Sequence, residues 1–199
     1  MNNNGKSRGF GKKGWMVIIF TLFIYMFTCT APDTLNVSVT VFAQAFGWDS
    51  NQMLMFSAVG GFAGIAVSAV LGVVIAKKGV KIPTFVMMIA SALIWLFHGH
   101  VHAFVTYGLA VVLLTAFSNA LNLVSTQQIM SNWFPKKKGI ALGWATMGTC
   151  FSSAIMVAVF QGMFGKGISA PYHLMFGIFI ILAIITMVWF KQFPEEAGA

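Results

Sequence analysis

Polar and charged residues fall in short clusters along the 199-residue chain, and between them run six almost wholly apolar stretches, at about 15–46, 51–76, 82–97, 103–130, 139–164 and 172–190. None alternates at the period of two that marks a half-solvated strand, and most approach or exceed the roughly 20 residues that a helix needs to cross a bilayer's hydrocarbon. Backbone N–H and C=O groups find no water in lipid, so continuous stretches of this kind must pair their groups internally as helices. The pattern predicts an all-α polytopic membrane protein with six transmembrane helices. A basic segment over 1–14 precedes the six-helix bundle over 15–190, and 191–199 begins a connecting loop.

The first stretch would run about 48 Å at 1.5 Å per residue. Ala31-Pro32-Asp33-Thr34-Leu35-Asn36 interrupts it, which predicts a kinked helix. Basic residues ahead of it and Ala43-Gln44-Ala45 near its end mimic a secretion signal. The run between them is about twice the 7–15 residues of a signal core, so the helix is expected to stay in the protein as an anchor.

Composition agrees with lipid as the solvent: 58% of residues are hydrophobic and 8% charged, where a soluble domain carries about 25% charged residues. The formal charge of +8 raises nucleic acid as a partner. The basic residues instead sit in small clusters between apolar runs, with no interleaved aromatic surface, which argues against it. Their placement orients the chain. Lys6, Arg8, Lys12, Lys13, Lys77, Lys78, Lys81, Lys136, Lys137, Lys138 and Lys191 share one side, and Lys166 stands alone on the other with Asp49 and the histidines. The positive-inside rule then predicts both termini in the cytoplasm of a cell (plasma or inner) membrane. Trp15, Trp48, Trp133 and Trp189 lie near predicted ends, as in an interfacial aromatic belt.

Small residues recur every fourth position in the second stretch, at Gly60, Gly64, Ser68 and Gly72, and again in the fifth at Gly139, Gly143 and Gly148. Such stripes let helices approach closely, in a static contact or a sliding one. Thr115, Asn119, Asn122 and Thr126 are spaced to share one face of the fourth helix. Asn119 would lie about 18 Å deep counted from Ser131. That stripe either bonds neighbouring helices or lines an aqueous cavity. Asp33 is the one acidic residue inside a predicted span, a coupling carboxylate or an outer-vestibule residue. His98, His100 and His102 alternate in an outer loop with no Cys, Asp or Glu beside them, so they are expected to face water at the surface and not to form a metal site. Cys29 and Cys150 read as small packing residues. No nucleophile–base pair, phosphate loop or paired carboxylate is legible, so neither an enzyme nor a cofactor is expected.

Six helices, a basic loop after the second and a long loop after the fourth resemble the amino-terminal half of a 12-helix major facilitator superfamily transporter. Leu71-Gly72-Val73-Val74-Ile75-Ala76-Lys77-Lys78-Gly79-Val80-Lys81 resembles its gating loop between helices two and three, with Gly72, Lys77, Lys78, Gly79 and Lys81 in register and Ala76 in place of the usual aspartate. Phe46-Gly47-Trp48-Asp49-Ser50 and Asn132-Trp133-Phe134-Pro135-Lys136-Lys137-Lys138-Gly139-Ile140-Ala141-Leu142-Gly143 look like segments of the oxalate/formate antiporter and monocarboxylate transporter families. Phe193-Pro194-Glu195-Glu196-Ala197-Gly198 is similar to the start of their central cytoplasmic loop.

The resemblance implies alternating-access transport of a small organic anion, a mono- or dicarboxylate, by antiport or proton symport. Carried over by motif, the substrate cavity takes Asp33, Thr34 and Asn36 from the first helix, Asn119 and Asn122 from the fourth, and Trp144 and Thr146 from the fifth. It also implies a second six-helix half bearing the anion-binding cation: a continuation of this chain, which the ending at a central loop favours, a split partner or a second copy. A non-transporting scaffold that binds a partner through the glycine faces is the competing expectation.

Overall fold

The computed structural model describes residues 10–197. Lys6, Arg8 and Gly198, used above, lie outside the described residues. Six helices long and apolar enough to cross a membrane make up the bundle: α1 (Gly11–Phe46), α2 (Ser50–Lys78), α3 (Lys81–His98), α4 (Phe104–Trp133), α5 (Lys138–Phe164) and α6 (Ala170–Val188). They run alternately up and down. One end of the bundle therefore carries the lysine clusters and both ends of the described chain, and the other carries the histidines. These are called the basic end and the histidine end below.

Two bounds depart from expectation by more than two residues. α1 starts at Gly11 and not at 15, because Phe10 packs edge-on against Phe134 at 5.0 Å and anchors the first turn. α4 continues past 130 to Trp133, its polar last turn held by contacts at the basic end. The expected kink is present: helical segments Gly11–Asp33 and Leu35–Phe46 meet at Thr34, just after Pro32, which has no N–H to give the carbonyl four residues back. The hydrogen-bond ladder nevertheless resumes at once, from Thr34 N–H to the Thr30 carbonyl at 3.0 Å and from Ser38 N–H to the Thr34 carbonyl at 2.9 Å.

The joints between helices follow local chemistry. Gly47 takes the left-handed φ of +70° that ends α1, and the Asp49 carboxylate caps α2 by accepting the Gln52 N–H at 2.8 Å. Trp48 between them stacks on Phe46 at 4.7 Å and meets Phe104 and Tyr107 edgewise or tilted, both at 5.8 Å. The Phe46-Gly47-Trp48-Asp49 motif is thus a structural corner joining α1, α2 and α4.

α2 packs chiefly on α4, α3 on α6, and α1 on α5. The glycines decide how closely. A Cβ at Gly60 would lie 2.7 Å from Thr115 Cβ, one at Gly64 3.0 Å from Asn119 Nδ2, and one at Gly148 2.1 Å from the Leu22 carbonyl oxygen. Gly139 and Gly143 meet nothing within 4 Å, and Gly72 meets only Val124 at 3.9 Å. Each expected stripe is therefore part contact and part open face.

At the basic end, Trp133 Nε1 donates to the Lys191 carbonyl at 2.9 Å and Asn132 Nδ2 to the Gln192 carbonyl at 3.5 Å. Trp133 is 7% exposed, a clasp between α4 and the segment after α6 and not the belt residue expected of it. Trp15 and Trp189 are exposed near helix ends, as that belt requires.

Candidate functional site

α1 carries a run of polar side chains, Tyr25, Thr28, Cys29 and Asp33, at helical spacing toward α4 and α5. Asn122 of α4 meets this run. Its side-chain carbonyl accepts from the Thr28 hydroxyl and its Nδ2 donates to Cys29 Sγ at 3.4 Å. The Tyr25 hydroxyl donates to the Asn122 backbone carbonyl at 3.3 Å. One turn beyond Cys29, Asp33 accepts from the Ser153 hydroxyl of α5 at 3.0 Å. A continuous polar seam thus crosses from α4 over α1 to α5 near mid-bundle. Asp33 lies about 20 Å from the histidine end of α1 at 1.5 Å per residue.

Irregular helix makes this arrangement. α4 opens into a π turn at Leu121–Ser125 and α5 into another at Ser152–Met156, so Asn122 and Ser153 sit inside the two bulges. A π turn inserts a residue, rotates every later side chain, and is frequent at functional sites. Thr115 and Asn119 lie against the glycines of α2, with Thr115 also lining a pocket beside α1, and Asn122 and Thr126 meet α1.

The candidate cavity residues divide accordingly. Asp33 is half-buried and Asn36 exposed, but Thr34 between them is 1% exposed, turned into the bundle, and donates its hydroxyl to the Thr30 carbonyl at 2.7 Å. Trp144 is 46% exposed and packs edgewise on Trp15 at 5.5 Å, toward the basic end. The Thr146 hydroxyl bonds the Gly143 carbonyl at 3.1 Å. Asp33, Asn122 and the previously unmarked Tyr25, Thr28 and Ser153 come together, and Thr34, Trp144 and Asn119 lie apart from them. The polar run Thr146, Thr149, Ser153 on α5 was the available signal for Ser153.

No lysine or arginine falls between 14 and 76, 82 and 135, 139 and 165, or 167 and 190. The seam therefore carries one carboxylate and no fixed cation from this chain's spans.

Of the gating-loop residues, Lys77 and Lys78 are exposed, Lys81 opens α3 half-buried, and Gly79 holds a φ of +77°. A Cβ at Gly79 would collide with the Gln192 side chain at 2.2 Å. A cavity of about 410 Å³ lies beside it, lined by Gly72, Ala76, Val124, Gln128, Asn132 and Phe193 among others.

The histidines also separate. His98 is 4% exposed within the bundle and does not face water at the surface as expected, because it ends α3 beneath Phe42, Tyr107 and Tyr172. His100 pairs with His173 of α6, ring centroids 4.9 Å apart. Among the described residues no group of three or more His, Cys, Asp or Glu gathers to hold a metal. Cys29 joins the seam, and Cys150 is exposed on α5.

Six lipid-length helices around a hydrogen-bonded polar seam define a polytopic integral membrane protein. The family model of the Major Facilitator Superfamily matches residues 18–199, and the chain belongs to that superfamily of membrane transporters. No curated protein sequence matches it.

Proposed function

We propose that the protein is a secondary active transporter of a small organic anion, a mono- or dicarboxylate, working by alternating access as an antiporter or proton symporter. The observation that carries this reading is the Asp33–Ser153 pair within the seam. A carboxylate in a membrane span is costly unless it is used, and Asp33 is hydrogen-bonded, partly open and set beside a π turn and a proline bend. Making and breaking of the Asp33–Ser153 hydrogen bond gives the α1–α5 contact two states that a proton gradient can bias. The anion needs a cation, and with none in these spans the reading places it on a second six-helix unit facing α1 and α5. That unit is a continuation of the chain, a split partner or a second copy. The positive-inside distribution supports a cytoplasmic basic end.

The test is uptake of labelled oxalate and formate into proteoliposomes, driven either by an imposed proton gradient or by trapped counter-substrate. Uptake by the wild type, with loss of the proton-driven component in Asp33→Asn, is the expected result. Folded protein that moves neither anion under either condition overturns the reading.

A scaffold that binds a partner through its helix faces is the second reading, favoured by the open Gly139 and Gly143 on α5. The same assay separates the two, because a scaffold keeps its behaviour when Asn122 is replaced by leucine and a transporter loses flux.

A further inference from the structure

Behind the bend of α1, on the side away from Asp33, a small pocket of about 10 Å³ lies between α1, α3, α4 and α6. Its polar lining is Thr34, Ser38, Trp95, His98, Thr115 and Tyr172. Trp95, His98 and Tyr172 are 2%, 4% and 1% exposed, and the Trp95 indole N–H, both His98 ring nitrogens and the Tyr172 hydroxyl are buried without a hydrogen-bond partner among the described residues. Tyr172 faces the Ser38 side chain but without hydrogen-bond geometry. An unpaired buried donor or acceptor costs about 1–3 kcal/mol, and native interiors leave few of them. Three residues with such atoms around one pocket call for a common partner.

We propose that this pocket binds one structural water, centred on His98, which pairs the Trp95 indole N–H, the Tyr172 hydroxyl and one ring nitrogen of His98 beside the α1 bend. The volume suits one molecule, since a water needs roughly 10–15 Å³ of such space and two to four polar partners. The chemistry matches as well. An indole N–H only donates, a phenol hydroxyl does both, and a neutral imidazole supplies one donor and one acceptor. A water can accept from Trp95 and Tyr172 and donate to the free nitrogen of His98. Phe42, Tyr107 and Tyr172 close around His98 with ring centroids at 5.8, 5.2 and 4.6 Å and screen the site from the histidine end. Thr34 both lines the pocket and joins the two segments of α1, so the water sits directly behind the bend. The inference stands apart from the transport reading, since it concerns the packed interior and not the seam.

X-ray radiolytic labelling of the whole chain in detergent micelles, in H2 18O, tests it, because radicals form at bound waters. Trp95 and Tyr172 are expected to take up label despite their burial, several-fold less in His98→Phe, with exposed Trp144 labelled equally in both proteins. Wild-type protein that labels Trp144 but neither Trp95 nor Tyr172 overturns the proposal, and this result holds even if the variant fails to fold. A rise in apparent Tm for His98→Phe also overturns it, because an apolar replacement of similar shape improves a dry pocket and not a hydrated one.

Discussion

Gly148→Ala is the sharpest perturbation the packing offers. Gly148 is buried where α5 crosses α1, and its added methyl would sit 2.1 Å from the Leu22 carbonyl oxygen, 2.9 Å from Met26 N and 3.0 Å from Tyr25 Cβ. Two of those atoms are backbone and cannot rotate away. Restoring a contact of 3.4 Å from 2.1 Å requires α1 to withdraw by about 1.3 Å. Overpacking costs typically 1–3 kcal/mol, and rigid neighbours place this site at the upper end, about 3 kcal/mol. For a chain of this size that corresponds to a fall in apparent Tm of roughly 6–12 °C. Gly143→Ala on the same helix is the control: it meets nothing within 4 Å and gains up to about 1 kcal/mol of helix propensity. Intrinsic tryptophan fluorescence during thermal unfolding of each purified variant in the same detergent reads both. Equal shifts for the two variants, or an unchanged Tm for Gly148→Ala, would refute the account of the α1–α5 contact.

Two further perturbations test the corners of the bundle. Asp49→Ala removes the carboxylate that caps α2 and should cost about 1 kcal/mol, with Asp49→Asn close to wild type, by the same thermal assay. Gly79→Ala should cost about 1–3 kcal/mol from its φ of +77° alone, plus the collision with Gln192. Adding Gln192→Ala should recover only the second part, as a double-mutant cycle on Tm would read.

Element number and type were legible because lipid imposes a rule on sequence: a stretch that cannot reach water must satisfy its backbone as helix. The bend of α1 was legible for the same local reason, a proline inside a helix. The seam was only half legible. Asp33 and Asn122 stood out as polar residues in apolar runs, but their partners Tyr25, Thr28 and Ser153 are residues that helices tolerate anywhere. The π turn at Leu121–Ser125, which carries Asn122 against Thr28, has no marker in composition and was not legible. His98 was misjudged because a histidine beside a loop usually reaches water. Its burial depends on Phe42, Tyr107 and Tyr172, which arrive from three other helices.

The clasp at the basic end also has a meaning in time. Trp133 finishes α4, yet the carbonyl it bonds belongs to Lys191, 58 residues later in the chain. At roughly 5–20 residues per second of synthesis, about 3–12 s separate the making of the two partners. Through that interval the end of α4 and the Gly79 turn have no Lys191 or Gln192 to rest against, so the basic end is the last part of the bundle to be assembled. A substitution at Trp133 that removes its indole donor would thus act first on the yield of inserted protein, before any effect on the finished one.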